Sequence, residues 1–246
     1  MNSHLPERDA GDPVELAGED APVRGERDPL HVPTTGAVGP FVGPGPGARW
    51  FTSGMTTHRA LLVVDVQPTF CEGGALPVAG GNATAEAIAA YAAAHRDRYG
   101  LVVTTQDWHV SPGHHFSDHP DFVDTWPPHG VAGTAQAELH PALAALHPDA
   151  SVKKGAYQAA YSGFEGSDEQ GRTLAEILRA RGITDVDVVG IAESHCVRAT
   201  TLDALALGLR ARVLTDLTVP VSPELGAAAR AEMAAAGAEL VASSAA

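Results

Sequence analysis

Short apolar runs alternate along the chain with stretches of helical and turn character. Ala60-Leu61-Leu62-Val63-Val64, Leu101-Val102-Val103-Thr104-Thr105 and Val186-Asp187-Val188-Val189-Gly190-Ile191 carry apolar side chains on both faces of an extended backbone, as strands of a parallel sheet covered on both sides do. Shorter extended pieces are predicted at 150–153, 212–214 and 239–242. Between them the pattern predicts helices over about 82–95, capped by Asn82, over 173–181, stopped by Gly182, and over 195–207, ending at Gly208. A last helix opens at Ser222-Pro223, with a capping serine and a first-turn proline. Strands alternating with helices define the expected class: α/β, a three-layer α-β-α sandwich with a mainly parallel central sheet.

Composition divides the 246 residues in two. Over residues 1–55 proline and glycine approach roughly a third of the positions and no apolar period persists, so this stretch is expected to be a disordered extension. It has neither the apolar core nor the positive start of a secretory signal, and Met55, just ahead of the first strand, is a candidate start for the folded part. Residues 56–246 form the expected catalytic domain. A formal net charge of −14 with no basic patch argues against nucleic-acid and anionic-membrane partners and favours a small neutral or cationic substrate. Two cysteines far apart in sequence, Cys71 and Cys196, point to a reducing, cytoplasmic setting with no disulfide framework.

The segment from Asp107 to His129 carries metal-site chemistry. Asp107 and His109, two apart on an extended backbone, project the same way. Pro112-Gly113 supplies a turn that can return His114 or His115 toward them, and Trp126-Pro127-Pro128 presents His129 on a proline-stiffened stretch. One carboxylate and three neutral imidazoles suit one divalent ion of the Zn, Fe or Mn type better than Mg or Ca.

A second constellation surrounds Cys196, which follows a strand in Gly190-Ile191-Ala192-Glu193-Ser194-His195-Cys196 and stands at a helix start. There the unpaired N–H groups are expected to lower the thiol pKa and to hold an oxyanion. Asp65, after five apolar residues, is a poorly solvated carboxylate able to accept the thiol proton, and Lys154 can stabilise both anions, with Lys153 beside it as a competing choice. In open α/β sheets ligands sit outside the carboxyl ends of the strands, so Asp65, Asp107, Lys154 and Cys196 should converge on one rim.

With these motifs the chain from Met55 to about Ser244 resembles the nicotinamidase/pyrazinamidase branch of the isochorismatase-like cysteine hydrolase superfamily. The resemblance rests on Val64-Asp65-Val66-Gln67 with Phe70-Cys71-Glu72-Gly73-Gly74, on Asp107-Trp108-His109 with Gly113-His114-His115-Phe116, and on Trp126-Pro127-Pro128-His129. It extends through Lys154-Gly155-Ala156-Tyr157 with Ala160-Tyr161-Ser162-Gly163-Phe164, and Val189-Gly190-Ile191-Ala192 with His195-Cys196-Val197. It implies Asp65, Lys154 and Cys196 as catalytic residues, an oxyanion hole from the N–H groups of Ala192 and Cys196, and Asp107, His109, His115 and His129 as metal ligands, selecting His115 over His114. It further implies Phe70, Trp126, Tyr161 and Ile191 around the substrate, and a cis peptide before Ala192. The implied activity is hydrolysis of nicotinamide, and of pyrazinamide, to the acid and ammonia through a cysteine thioester, in NAD salvage, by a monomer or small homo-oligomer. The chain departs from the common pattern at Pro68-Thr69, Glu193-Ser194 and Gly130, none of which removes a reacting side chain. Two competing readings remain: a hydrolase of carbamoyl or ureido groups, for which the metal cluster would be idle, and a sensor built on the Cys196 thiol.

Overall fold

A computed structural model describes residues 57–246; the expectations for the first 55 residues and for Met55 lie outside the described residues. Six strands form one sheet: β1 (Arg59–Val64), β2 (Leu101–Asp107), β3 (Ala150–Lys154), β4 (Asp185–Ile191), β5 (Arg210–Val219) and β6 (Glu239–Val241). Their order is β3-β2-β1-β4-β5-β6 and every pairing is parallel. The chain leaves β1 toward one edge and later returns to build the other, so β1 and β4 flank the point where the winding reverses, the ordinary location for a ligand crevice.

The apolar runs form strands because both faces are covered. Period-two alternation sends Leu62 and Val64 of β1 into a core with Leu101, Val103, Leu174, Leu178, Val188 and Met233, under helices α2 (Leu174–Ala180), α3 (Arg198–Ala206) and α4 (Pro223–Ala235). Leu61 and Val63 enter the opposite core with Ile88, Tyr91, Val102, Val189 and Leu214, on the side of α1 (Gly81–Ala94). Among the described residues no helix is long and apolar enough to cross a membrane.

Three expected boundaries move. Asn82 is not the cap of α1: the carboxylate of Glu72 accepts from the N–H groups of Gly80 at 2.5 Å and Asn82 at 2.9 Å, and the Asn82 side chain instead pairs with His140 Nε2. The helix expected from His195 begins as α-helix only at Arg198, after a π-helical turn over Glu193–Val197. Strand β5 continues past Leu214 to Val219 because a bulge takes up the polar interruption, pairing skipping from Val188↔Val213 to Gly190↔Thr218. Elsewhere the terminal signals operate as read. Ser222 Oγ accepts from Leu225 N, and at Gly182 the N–H groups of Gly182 and Ile183 close back on Arg179 and Leu178 in a Schellman pattern.

One feature of β4 runs against its apolar surroundings. Asp187 is completely buried, and its carboxylate accepts two hydrogen bonds from Arg212 at 2.8 and 2.7 Å, one from Arg59 at 2.6 Å and one from Tyr99 Oη at 2.8 Å. Neighbouring Asp185 binds Arg210 twice at 2.7 Å and Arg59 at 3.1 Å, and the Arg210 bonds bring its carboxyl down to about 2. These contacts tie β1, β4 and β5 together at the end of the sheet away from the site. Replacing Asp187 by Ala should cost roughly 3–5 kcal/mol in urea unfolding, because three cationic or phenolic partners lose a buried acceptor. A carboxyl whose pKa is depressed in the folded state adds stability above its ordinary value of 3.8 and loses it as the pH falls through about 2. The stability gap between wild type and Asp185→Asn, followed by acid unfolding, should therefore narrow across that window.

Candidate active site

The carboxyl ends of β1 to β4 deliver one side chain each. Asp65 follows β1 with a positive φ of 48°, Asp107 and Lys154 are the terminal residues of β2 and β3 and lie opposite each other in register, and Cys196 sits in the π-helical turn after β4. All four are buried. The structure thus brings Asp65, Lys154 and Cys196 together, with Sγ and a carboxylate oxygen of each of Asp65 and Asp107 all within 4.8 Å of one another.

Period two separates the adjacent lysines. Lys154 turns into the interior, while Lys153 lies over the Trp108 ring at 3.6 Å from its centroid. The ammonium of Lys154 donates to Asp107 Oδ1, to the Ala160 carbonyl at 3.0 Å and toward Cys196 Sγ at 3.9 Å, which uses its three protons. Asp65 Oδ2 stands 3.0 Å from Nζ yet receives no aligned hydrogen bond. Its other oxygen is held by Thr105 Oγ1 at 2.6 Å, so Oδ2 is a buried acceptor free to take a proton.

The charges follow from that geometry. Burial raises the Asp65 carboxyl despite the opposing pull of Lys154. Burial likewise pushes the Cys196 thiol well above its usual value, again opposed by Lys154. This corrects the expectation of a thiol lowered by a helix start: Cys196 precedes α3 and is largely buried at the cavity floor, so desolvation outweighs any helix field and ionising it calls for an internal base. Burial alone would lower Lys154, but Asp107, Asp65 and Cys196 together raise it. The converse holds at Asp107, where burial is outweighed by Lys154 and by His109, keeping the carboxyl ionised.

Asp107 also faces the imidazoles. Its Oδ2 lies 3.6 Å from His109 Nε2 and 3.7 Å from His129 Nε2, and one nitrogen of each of His109, His115 and His129 falls within 4.8 Å of the others. The turn at Pro112-Gly113 buries His115 and leaves His114 exposed. His109 Nδ1 is held by the Gly155 carbonyl at 2.6 Å and His129 Nδ1 by that of Pro127 at 2.8 Å, which frees each Nε2 for a ligand. His109 Nε2 is buried without a partner. Burial, then the neighbouring imidazoles, hold His115 down to about 4, and burial lowers His129, so both are neutral donors near pH 7. Asp107, kept ionised, turns a carboxylate oxygen toward these nitrogens. The donor set, the orphaned nitrogen and the charge all fit a divalent ion.

A cavity of about 600 Å³ opens over both groups. Phe70, Trp126, Tyr161, Ala192, His115, His129 and Cys196 line it, and Trp126 Nε1 donates to Tyr161 Oη at 3.0 Å. Ile191 does not line it: its side chain is completely buried with Phe70, Cys71 and Val78 and supports the Phe70 wall from beneath. The Ile191–Ala192 peptide is cis. Cys71 belongs to the same apolar cluster, and burial pushes its thiol up to about 11.

Sequence reasoning missed two groups. His195 lines the cavity, edge-on to Trp126 at 5.5 Å between centroids, with Nδ1 held by Ser194 Oγ at 2.9 Å. Glu193 is a completely buried carboxylate that takes Arg230 of α4 at 2.9 and 2.8 Å and Thr218 Oγ1 at 3.0 Å, while Ser194 Oγ accepts from Val221 N at 3.2 Å. The unusual Glu193-Ser194 pair therefore bolts the Cys196 turn to β5 and α4. A charged residue directly behind an apolar strand end was the available signal; its partner, 37 positions away, was not.

His109→Ala should abolish stoichiometric metal by elemental analysis, whereas Cys196→Ala should keep it. Gly155, at φ +76°, leaves no room for a Cβ, which would lie 2.5 Å from His109 Cε1. Gly155→Ala should therefore lower metal content with every ligand intact.

Residues 59–245 match the family model described as the isochorismatase domain. The chain is 54% identical over 186 residues to the nicotinamidase/pyrazinamidase of Mycobacterium tuberculosis, covering 76% of this chain and all of that protein. Among solved structures it is similar to PnC1 from L. infantum in complex with nicotinate, with TM-score 0.68, 35% identity and coverage of 77% of this chain and 95% of that one. It is also similar to the pyrazinamidase of Pyrococcus horikoshii in complex with zinc, with TM-score 0.64, 35% identity and coverage of 75% and 99%. Taken with a six-stranded parallel sheet that carries an acid, a lysine and a thiol on one rim, this makes the chain a member of the isochorismatase family.

Proposed function

We infer that the protein is a metal-containing cysteine amidohydrolase that converts nicotinamide, and also pyrazinamide, to the acid and ammonia, and serves NAD salvage in the cytoplasm. The observation that carries this reading is a single cavity in which Asp65, Lys154 and Cys196 adjoin a buried imidazole–carboxylate cluster between aromatic walls. The nicotinamidase/pyrazinamidase relative and the nicotinate-bound and zinc-bound structures support it. An acyclic carbamoyl or ureido substrate would leave the imidazoles and the Phe70 and Trp126 walls without a role.

The unpartnered Oδ2 of Asp65 takes the thiol proton, and the sulfur forms a bond to the amide carbon as the carbonyl π electrons move to oxygen. Lys154 stabilises the anions on either side of it. The N–H groups of Ala192 and Cys196 receive the oxyanion, each worth on the order of 3 kcal/mol in comparable sites. Asp65 returns its proton to the amide nitrogen, the C–N bond breaks and ammonia leaves a thioester. Water then adds to the thioester carbon, giving one proton to Asp65 and thence to sulfur as the C–S bond breaks and the acid departs. Asp107, His109, His115 and His129 would hold the divalent ion, zinc as in the P. horikoshii structure or iron or manganese, which when bound supplies a Lewis acid for the ring nitrogen. Phe70, Trp126 and Tyr161 sandwich and orient the flat ring.

Nicotinate formation, followed chromatographically with and without chelator, tests the reading. Wild type should release nicotinate and ammonia in equal amounts. Cys196→Ala should lose on the order of 10³-fold or more in kcat. Absence of turnover by metal-replete wild type, or its survival in Cys196→Ala, would refute the assignment.

A further inference from the structure

The cavity changes character with depth. Its floor is Asp107, His115, His129 and Cys196, all nearly inaccessible. Its mouth is apolar: Phe122, Val221 and Leu225 line it while remaining 58%, 47% and 48% exposed. Phe122 is held in place. Asp121 Oδ1 accepts from the N–H groups of Val123, Asp124 and Thr125 at 2.9 Å each, and the Phe122 ring meets Trp126 edge-on at 6.1 Å. On the facing side Val221 N donates to Ser194 Oγ, tying that wall to the Cys196 turn. Among the described residues no lysine or arginine lines the cavity, so a phosphate or carboxylate extension of a substrate would find no partner at the mouth. A volume of about 600 Å³ is in the range that takes drug-sized ligands, far more than one small ring needs.

We propose that Phe122, Val221 and Leu225 form a binding subsite for an apolar substituent of the substrate ring, making azine carboxamides alkylated meta to both the ring nitrogen and the carboxamide substrates of this protein. The inference rests on the reading of the site as a nicotinamide hydrolase. With the ring nitrogen toward the imidazoles and the carboxamide toward Cys196, two meta positions are anchored at the floor. The carbon between them faces down, and the carbon opposite it, position 5 of nicotinamide, points to the mouth. A short alkyl chain there leaves water for the three rim side chains, and each methylene buried is worth roughly fourfold in binding.

The test compares nicotinamide with 5-propylnicotinamide, by ammonia release from wild type and by calorimetric titration of Cys196→Ala, which reads binding independently of turnover. The expected result is a KM and a Kd about tenfold lower for the propyl compound. Leu225→Asp and Phe122→Ser, changes at half-exposed positions, should each lower the propyl-to-nicotinamide ratio of kcat/KM at least severalfold. Hydrolysis of nicotinamide with no turnover of the propyl compound, or with propyl binding no tighter than that of nicotinamide, overturns the subsite and leaves the amidase reading standing, as does an equal effect of the rim variants on both compounds. If neither amide is hydrolysed, the amidase reading itself falls, and equal or weaker binding of the propyl compound to Cys196→Ala removes the subsite as well.

Discussion

The buried ammonium of Lys154 is the constraint around which the site is organised. An ammonium sealed from water is tolerable only among anions and acceptors, and here it has Asp107, Asp65, the Ala160 carbonyl and the Cys196 sulfur. Because β3 pairs with β2 and β2 with β1, a lysine at the end of β3 reaches the carboxylates that end the next two strands. Its aligned hydrogen bonds go to Asp107, the Ala160 carbonyl and the sulfur, while Asp65 Oδ2, 3.0 Å from Nζ, stays an acceptor without an aligned donor.

Asp107 serves two neighbours with two oxygens, one bound to Lys154 and the other turned to the imidazoles. The reaction centre and the cation site therefore share an atom group and cannot drift apart, which holds a substrate gripped at ring nitrogen and carbonyl carbon at constant spacing. Behind this pair the sheet is stiff: strands buried on both faces, tied at the far end by the Asp185 and Asp187 ion pairs. Glu193 with Arg230 extends the same bracing to the turn that carries Cys196.

Much of this was legible in the chain. Fully buried parallel strands demand continuous apolar runs, so β1, β2 and β4 announced themselves, and Asp107-x-His109 declared a shared direction through period two. The rest depended on neighbours. Which of Lys153 and Lys154, or of His114 and His115, faces inward is a matter of strand phase and turn pitch, visible only once β3 is paired with β2 and the Pro112-Gly113 turn is folded. Ile191 read as substrate wall but is completely buried in the cluster with Phe70, Cys71 and Val78 and does not line the cavity. Asn82 read as a helix cap, yet Glu72 was in better position.

By itself, then, the chain determined the layers, the strand ends where ionisable and ligating side chains gather, and the candidates among them, because these follow from local periodicity and from residue types that can ionise or ligate. The tertiary structure alone decided the direction in which burial and neighbours move those groups and the shape of the cavity above them. Cys196, expected to be acidified, is instead pushed upward by burial because desolvation depends on everything packed around it, and the apolar mouth is assembled from segments about a hundred residues apart that no local pattern connects.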